Sequence, residues 1–206
     1  MEINNKNTRK EYKFLFSRKE VLKFRKFYGD SLTNLYPNRT IKSMYMDTND
    51  LRLYSLSKQT DVDKFKLRYR TYPNSDAKIY REVKSNKSTG KEKTSKVTSF
   101  TSFEEINFDV HKNYFLTPSL FIKYEREYFQ LDSAARLTID SNLQFNLPKN
   151  VSLLDKYMSE NLFIVELKIL ENKNFDLTEY FLNSPVAFSK YDYGIERIYN
   201  RNIIQN

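Results

Sequence analysis

Lys66, Arg68 and Arg70 stand two residues apart in KFKLRYR, with Leu67 and Tyr69 between them. At that spacing the three cations share one face of a strand, and the apolar residues take the other. The pairing recurs as Glu11 with Lys13, Glu82 with Lys84, Tyr124 with Arg126, Arg136 with Thr138 and Asp140, and Glu166 with Lys168. In one half-exposed strand such alternation means only that charged residues face water. Repeated over six strands, it is also explained by a closed barrel whose polar face points inward and whose apolar face is covered by helices. A lumen lined by these cations has to hold water and counter-charge, because each buried cation loses costly hydration. A chain of phosphates is a natural occupant: Arg offers a planar fork to phosphate oxygens and Lys a point charge. The acidic minority would orient the cations or hold a divalent ion that bridges phosphates.

Composition narrows the chemistry further. The 206 residues carry 35 Lys and Arg against 26 Asp and Glu, a formal charge of +9, so phosphate, nucleic acid and anionic lipid are the partners to test. Cysteine is absent and His111 is the single histidine. That excludes disulfide scaffolds, zinc ribbons, thiol nucleophiles and any site built on two imidazoles, so a metal here has to be held by carboxylates. The start, MEINNKNTRKEYK, is polar, and no apolar run is long enough for a signal peptide or a membrane span. A soluble cytoplasmic protein is expected.

The elements that must position these residues are mostly strands, rich in Tyr, Phe, Ile, Val and Thr, over about 9–16, 39–47, 63–72, 78–85, 119–130, 134–145 and 161–170. Helix signals are fewer. Ser17 with Glu20 forms a capping box that leads into Val21, Phe24, Tyr28, Leu32 and Leu35, and Ser102 with Glu105 opens a second segment through Ile106, limited by Pro118. Shorter helical patterns follow at 153–158, from Asp176 through Leu177 and Phe181, and at 193–199. Three glycines, five prolines and no low-complexity stretch leave no linker, so a single domain is expected over 1–206.

An ordered set of motifs carries a resemblance: EYKF at 11–14, SMYMDT at 43–48, KFKLRYR at 64–70, YREVK at 80–84, TSK at 94–96, YEREYF at 124–129, RLTID at 136–140, VELK at 165–168 and FSKYDYGIE at 188–196. Together they resemble the VTC domain, the polyphosphate polymerase branch of the triphosphate tunnel metalloenzyme, or CYTH-like, superfamily. The resemblance implies an α+β fold: a closed antiparallel eight-stranded β-tunnel with helices packed outside. It implies ATP bound with Mn²⁺ or Mg²⁺, and transfer of the γ-phosphate to a growing polyphosphate. It places phosphate-gripping positions on Lys13, Arg68, Arg70, Lys84, Lys96, Arg126, Arg136 and Lys190, and a metal-binding glutamate on Glu166. Tyr124 and Ser189 match positions near the nucleotide, and Lys93 is the alternative to Lys96 because the 85–95 loop is variable. Arg68, Arg70, Lys84, Arg126 and Lys190 are expected to neutralise the transferring phosphoryl group, Lys13 and Arg136 to guide the phosphate chain, and Lys66 and Lys168 to complete the substrate-binding set.

Two departures from the superfamily matter. The first strand carries one glutamate, Glu11, where the triphosphatases typically show two, which argues against their two-carboxylate metal site. The phosphate-sensing SPX domain and membrane segments of the eukaryotic versions are also lacking, so regulation and export are not expected here, and recruitment by a separate membrane protein stays open. Glu82 and Glu11 each stand two residues from a cation, Asp140 shares its face with Arg136, and all three read as ion-pair partners. His111, in an expected helical stretch beside Lys112, is assigned no role. A tunnel-type tripolyphosphatase or nucleoside triphosphatase, and a non-enzymatic polyanion or nucleic-acid binder, remain the alternatives. Base stacking on the 16 Tyr and 16 Phe is disfavoured because they alternate with the charges and so lie on the opposite face.

Overall fold

Alternation at a period of two makes strands of most of this chain, and a computed structural model describes residues 9–60, 62–87, 90–131, 135–148, 158–170, 176, 181 and 183–204. The elements are β1 (Arg9–Phe16), α1 (Arg18–Tyr28), β2 (Leu32–Asp47), α2 (Arg52–Ser57), β3 (Lys64–Thr71), β4 (Ile79–Lys87), β5 (Gly90–Val97), β6 (Asp109–His111), β7 (Tyr114–Leu131), β8 (Ala135–Asn146), β9 (Met158–Glu160), β10 (Phe163–Leu170) and α3 (Lys190–Ile204), with single 3-10 turns at Gly29–Ser31 and Phe103–Glu105. Two compact units result: residues 1–38, 125–143 and 160–188, and residues 39–124, 144–159 and 189–206. No helix among the described residues is long and apolar enough to cross a membrane.

The strands pair in the order β1-β10-β8-β7-β2-β3-β4-β5, with β6 beside β7 and β9 beside β8. Among the described residues the expected closed eight-stranded tunnel is therefore corrected to a ten-stranded sheet whose pairing path runs from β1 to β5 without closing. Each end strand carries several charged side chains, which guard a sheet edge against further pairing. The outer edge of β1 receives the Val186 N–H at the Lys13 carbonyl, 2.8 Å away, instead of a strand.

In the first unit, β1 pairs with β10 through Phe14↔Val165 and Tyr12↔Leu167, and β10 pairs with β8 through Val165↔Ile139 and Leu167↔Leu137. These residues form one apolar face, closed by Val21 and Phe24 of α1 and by Phe181, which stacks on Phe14 at 4.0 Å. α1 begins as expected: the Ser17 Oγ accepts from the Glu20 N–H, and the Ser17 N–H donates to the Glu20 carboxylate. It ends at Tyr28, and Leu32 and Leu35, expected in the helix, lie in β2. Gly29, Asp30 and Ser31 break the helix, because Gly there costs about 1 kcal/mol relative to Ala and Asp and Ser favour turns.

The second unit buries Met44, Met46, Phe65, Leu67, Tyr69 and Val83 from β2, β3 and β4 beneath Leu53 of α2 and Ile106. The capping box at Ser102 and Glu105 forms, yet it starts only the 3-10 turn. The expected helix toward Pro118 is replaced by the β6–β7 hairpin, paired from Asp109↔Leu116 to His111↔Tyr114. Asp109 decides the outcome, since its carboxylate takes hydrogen bonds from Arg81 at 2.7 and 3.0 Å and from the Tyr69 hydroxyl at 2.6 Å. His111 thus lies on a strand, edge-on to Phe65 at 4.7 Å. Within the 85–95 segment, read as a loop, Ser85–Lys87 belong to β4 and Gly90–Ser95 to β5, and the two strands pair antiparallel. The helical pattern at 153–158 lies outside the described residues except Met158, which begins β9, and of the pattern from Asp176 through Leu177 and Phe181 only Asp176 and Phe181 are described.

Helices do not all pack outside. α3 lies on the charged face of the second unit, where Tyr191 stacks on Tyr45 at 5.0 Å. Gly194 permits its approach: a Cβ there would stand 2.5 Å from Phe145 and 2.7 Å from Leu120, so a side chain would push the helix off its seat.

Candidate functional site

Register decides which charged residues share a face. In the second unit the row Tyr45↔Arg68↔Glu82↔Ser95 lies between Ser43↔Arg70↔Tyr80 and Lys66↔Lys84↔Lys93. Glu82, 4% exposed, is the centre of this face. It accepts from Arg68 Nε at 2.8 Å, pairs with Lys93 at 2.7 Å and with Arg70 at 3.7 Å. Burial alone would raise the Glu82 carboxyl, but Arg68, Arg70 and Lys93 outweigh it and hold it at about 2. A charge-assisted contact between a buried carboxylate and a guanidinium fixes the plane of the arginine.

Hydroxyls orient the rest. Arg68 donates to the Tyr45 hydroxyl at 2.8 Å, while Arg70 donates to Ser43 Oγ and to the Tyr124 hydroxyl, each at 3.2 Å. Lys190 Nζ lies 4.7 Å from the centre of the Tyr124 ring. Burial would raise the Tyr45 hydroxyl, yet Arg68, Arg70 and Lys190 bring it down to about 8. Burial works against the Arg68 charge too, and Tyr45 and Glu82 more than offset it. Lys66 donates to Ser189 Oγ at 2.7 Å and to both Asp192 oxygens at 2.8 and 2.7 Å. Lys84 is exposed between Lys66 and Lys93 in register. Cations outnumber carboxylates here, so the face attracts anions.

Lys96 is not brought to this face. Its register partner is Arg81, whose partner Tyr69 belongs to the apolar cluster, so of the two alternatives it is Lys93 that joins Arg68 and Glu82.

In the first unit, Glu11↔Lys168↔Arg136 and Lys13↔Glu166↔Thr138 form two rows on the face opposite the core. Lys13 pairs with Glu11 at 3.3 Å and donates to the Phe188 carbonyl at 3.0 Å. Arg126 forks onto Asp140 at 2.5 and 2.7 Å, with Asp140 fully buried. Lys168 pairs with Glu166 at 2.9 Å, and Arg136 is exposed. Glu82, Asp140 and Glu11 are thus ion-pair partners: Glu11 pairs with the cation two residues along its own strand, whereas Glu82 takes Arg68, Arg70 and Lys93, and Asp140 takes Arg126, from other strands.

Among the described residues no group of three His, Cys, Asp or Glu side chains could cage a metal. One atom nevertheless bears on a cation. The Thr138 Oγ1 is buried with no hydrogen-bond partner among the described residues, and Thr138 stands directly across from Glu166, itself 8% exposed. A carboxylate with a neighbouring hydroxyl suits a hard divalent ion that keeps waters and takes its other oxygens from phosphate.

Sequence reasoning passed over Tyr45, Ser43 and Asp192. The signal for the first two was present, because Ser43, Tyr45 and Asp47 alternate in SMYMDT as Lys66, Arg68 and Arg70 do in KFKLRYR. Asp47 serves structure: it accepts the Thr48, Leu53 and Tyr54 N–H groups and the Tyr191 hydroxyl, tying α2 and α3 to β2.

Solved structures that share this fold include the two that follow. A candidate adenylate cyclase from Bacillus halodurans is 13% identical, with a TM-score of 0.56 over 92% of this chain and 96% of that one. The PH1819 protein from Pyrococcus horikoshii is 11% identical, with a TM-score of 0.55 over 94% of this chain and 99% of that one. No curated protein matches. The VTC domain profile matches residues 8–105 and 93–199, nearly the whole length over which the motifs run. The ordered motifs and that match agree, and the chain belongs to the VTC domain family.

Proposed function

We propose that residues 1–206 act as one polyphosphate polymerase domain that takes the γ-phosphate of ATP onto a polyphosphate chain. The observation that carries the reading is the excess of oriented cations around buried Glu82. Two arginines, held in plane by one carboxylate and by tyrosine hydroxyls, form a preorganised set of donors for phosphate oxygens. Phosphoryl transfer asks little covalent help from a protein, which suits a chain with no cysteine and one histidine.

In this reading Arg68, Arg70, Lys84 and Lys190 neutralise the triphosphate, with Lys93 in the place given to Lys96. Tyr124 and Ser189 lie beside the nucleotide. Lys13, Arg136 and Lys168 guide the polyphosphate, and Arg126, fixed by Asp140, adds charge. Glu166 with Thr138 would hold Mn²⁺ or Mg²⁺, which would supply positive charge to offset that of the phosphates. A terminal oxygen of the acceptor attacks the γ-phosphorus. The bond from that phosphorus to the β,γ-bridging oxygen breaks, and ADP leaves with the electron pair.

The deciding experiment incubates the purified protein with ATP, Mn²⁺ or Mg²⁺ and a short polyphosphate primer, then resolves the products on a polyphosphate gel. A lengthening ladder with stoichiometric ADP is expected. Free phosphate without a ladder replaces the reading with a tunnel-type triphosphatase. Polyphosphate binding without turnover of ATP replaces it with a polyanion binder.

A further inference from the structure

Strand period groups Lys66 with Arg68 and Arg70, but its surroundings differ from theirs. An ammonium has three donors, and all three have acceptors within 2.8 Å: Ser189 Oγ and the two oxygens of Asp192. The pair is mostly shielded, with Lys66 27% and Asp192 18% exposed. Its partners open α3. The Ser189 carbonyl accepts from the Tyr193 N–H at 3.0 Å, and its Oγ lies 3.4 Å from the Asp192 N–H. A helix N-terminus carries partial positive charge and repels a bare cation. Asp192, in the first turn, satisfies both the helix end and the ammonium, so a Lys66 that turned to phosphate would strand a largely buried carboxylate.

That first turn supplies the contacts on which the arginine-rich face depends. Lys190 sits over Tyr124, the hydroxyl partner of Arg70, and Tyr191 stacks on Tyr45, the hydroxyl partner of Arg68. We propose that Lys66 is a positioning residue: its clamp on Ser189 and Asp192 holds the first turn of α3, and thereby Lys190, in register with Arg68 and Arg70, and it does not itself touch phosphate. The proposal rests on the reading of this face as the triphosphate site, but the clamp can be tested without it.

The test compares the full chain with Lys66→Met, Lys66→Arg and the near-isosteric Asp192→Asn. It measures amide hydrogen exchange in α3, kcat and KM for ATP, and binding of inorganic tripolyphosphate. A clamp predicts faster exchange in the first turn of α3 for Lys66→Met and Asp192→Asn, while β3 stays protected. It also predicts a fall in kcat of about tenfold or more with KM nearly unchanged, since a small misplacement of a reacting group costs rate rather than affinity. Lys66→Arg retains the ion pair and keeps most of the rate. A phosphate-binding Lys66 predicts the opposite sign for Asp192→Asn: a freed ammonium, tighter tripolyphosphate binding and unchanged exchange in α3, any of which overturns the proposal. If Lys66→Met fails to fold, Asp192→Asn decides alone. If the wild-type chain neither turns over ATP nor binds tripolyphosphate, the reading of the face fails, and the exchange data still accept or reject the clamp.

Discussion

The two units assemble charge on their sheets in contrasting ways. In the first, cations meet carboxylates nearly one to one: Lys13 with Glu11, Arg126 with Asp140, Lys168 with Glu166. In the second, Arg68, Arg70 and Lys93 converge on the single carboxylate of Glu82, and hydroxyls of Tyr45, Ser43 and Tyr124 make up the remaining contacts. One-to-one pairing fixes side chains while leaving little net field. Sharing one acid fixes them equally well and leaves positive charge in excess, which is the arrangement that draws phosphate. The same residue types, at the same spacing of two, therefore pair nearly one to one on one sheet face and leave an excess of positive charge on the other.

The contrast breaks most severely at Glu82. Glu82→Gln leaves two mostly buried arginines without their shared counter-charge and is expected to cost about 3–5 kcal/mol of stability, read by urea unfolding at neutral pH. The pH dependence sharpens the test. Because the folded carboxyl is depressed from its ordinary 4.5 to about 2, its stabilisation is complete above 4.5 and is lost as the pH falls from there through 2. The variant should lack that part of the acid dependence, and a variant with wild-type stability would show that Glu82 does not hold the face together.

Lys190→Ala removes a cation from the unit with the excess. The rate of polyphosphate formation should fall about 10²-fold, as for the loss of one preorganised donor, with the melting temperature nearly unchanged. Near-normal synthesis would place Lys190 outside the chemistry.

Tyr45→Phe probes the field itself. Above pH 8 a tyrosinate beside Arg68 and Arg70 neutralises part of the excess, so tripolyphosphate affinity should weaken severalfold between pH 7 and 9 in the wild type and much less in the variant. The depressed hydroxyl also contributes stability that is full above its ordinary 10 and vanishes as the pH falls through about 8, so the variant lacks that alkaline part in addition to the hydrogen bond from Arg68. Equal pH profiles would detach Tyr45 from the cationic face.

Glu11→Gln, in the balanced unit, is the mild case. Glu11 and Lys13 are 28% and 25% exposed, and such a pair is worth about 0.2–1 kcal/mol before further screening. A loss of stability comparable to that of Glu82→Gln would erase the distinction between the units.

Several parts of this arrangement were legible in the residues. The faces of β3, β8 and β10 follow from a period of two, and the start of α1 follows from Ser17 and Glu20, because both signals lie within a few residues of what they specify. The helix expected after Ser102 shows the limit: its cap is real, but Asp109 finds Arg81 and Tyr69 across the sheet, and those bonds draw the chain into a hairpin. β5 escaped notice because KEKTSK offers no apolar alternation, its strand character coming from pairing with β4.

By itself the sequence determined the local matters: which residues alternate, where α1 is capped, and that the chemistry must run on oxygen and nitrogen groups without thiols or paired imidazoles. Tertiary structure decided everything that depends on register and on distant partners. A shift of one residue exchanges the faces of a strand, so only the pairing of β4 with β5 could choose Lys93 over Lys96. Lys66 is separated from Asp192 by 126 residues, and no periodicity within β3 could show that its ammonium is already engaged. The strand order has the same origin, because it follows from pairings among the described residues, and each strand carries only its own half of a pairing.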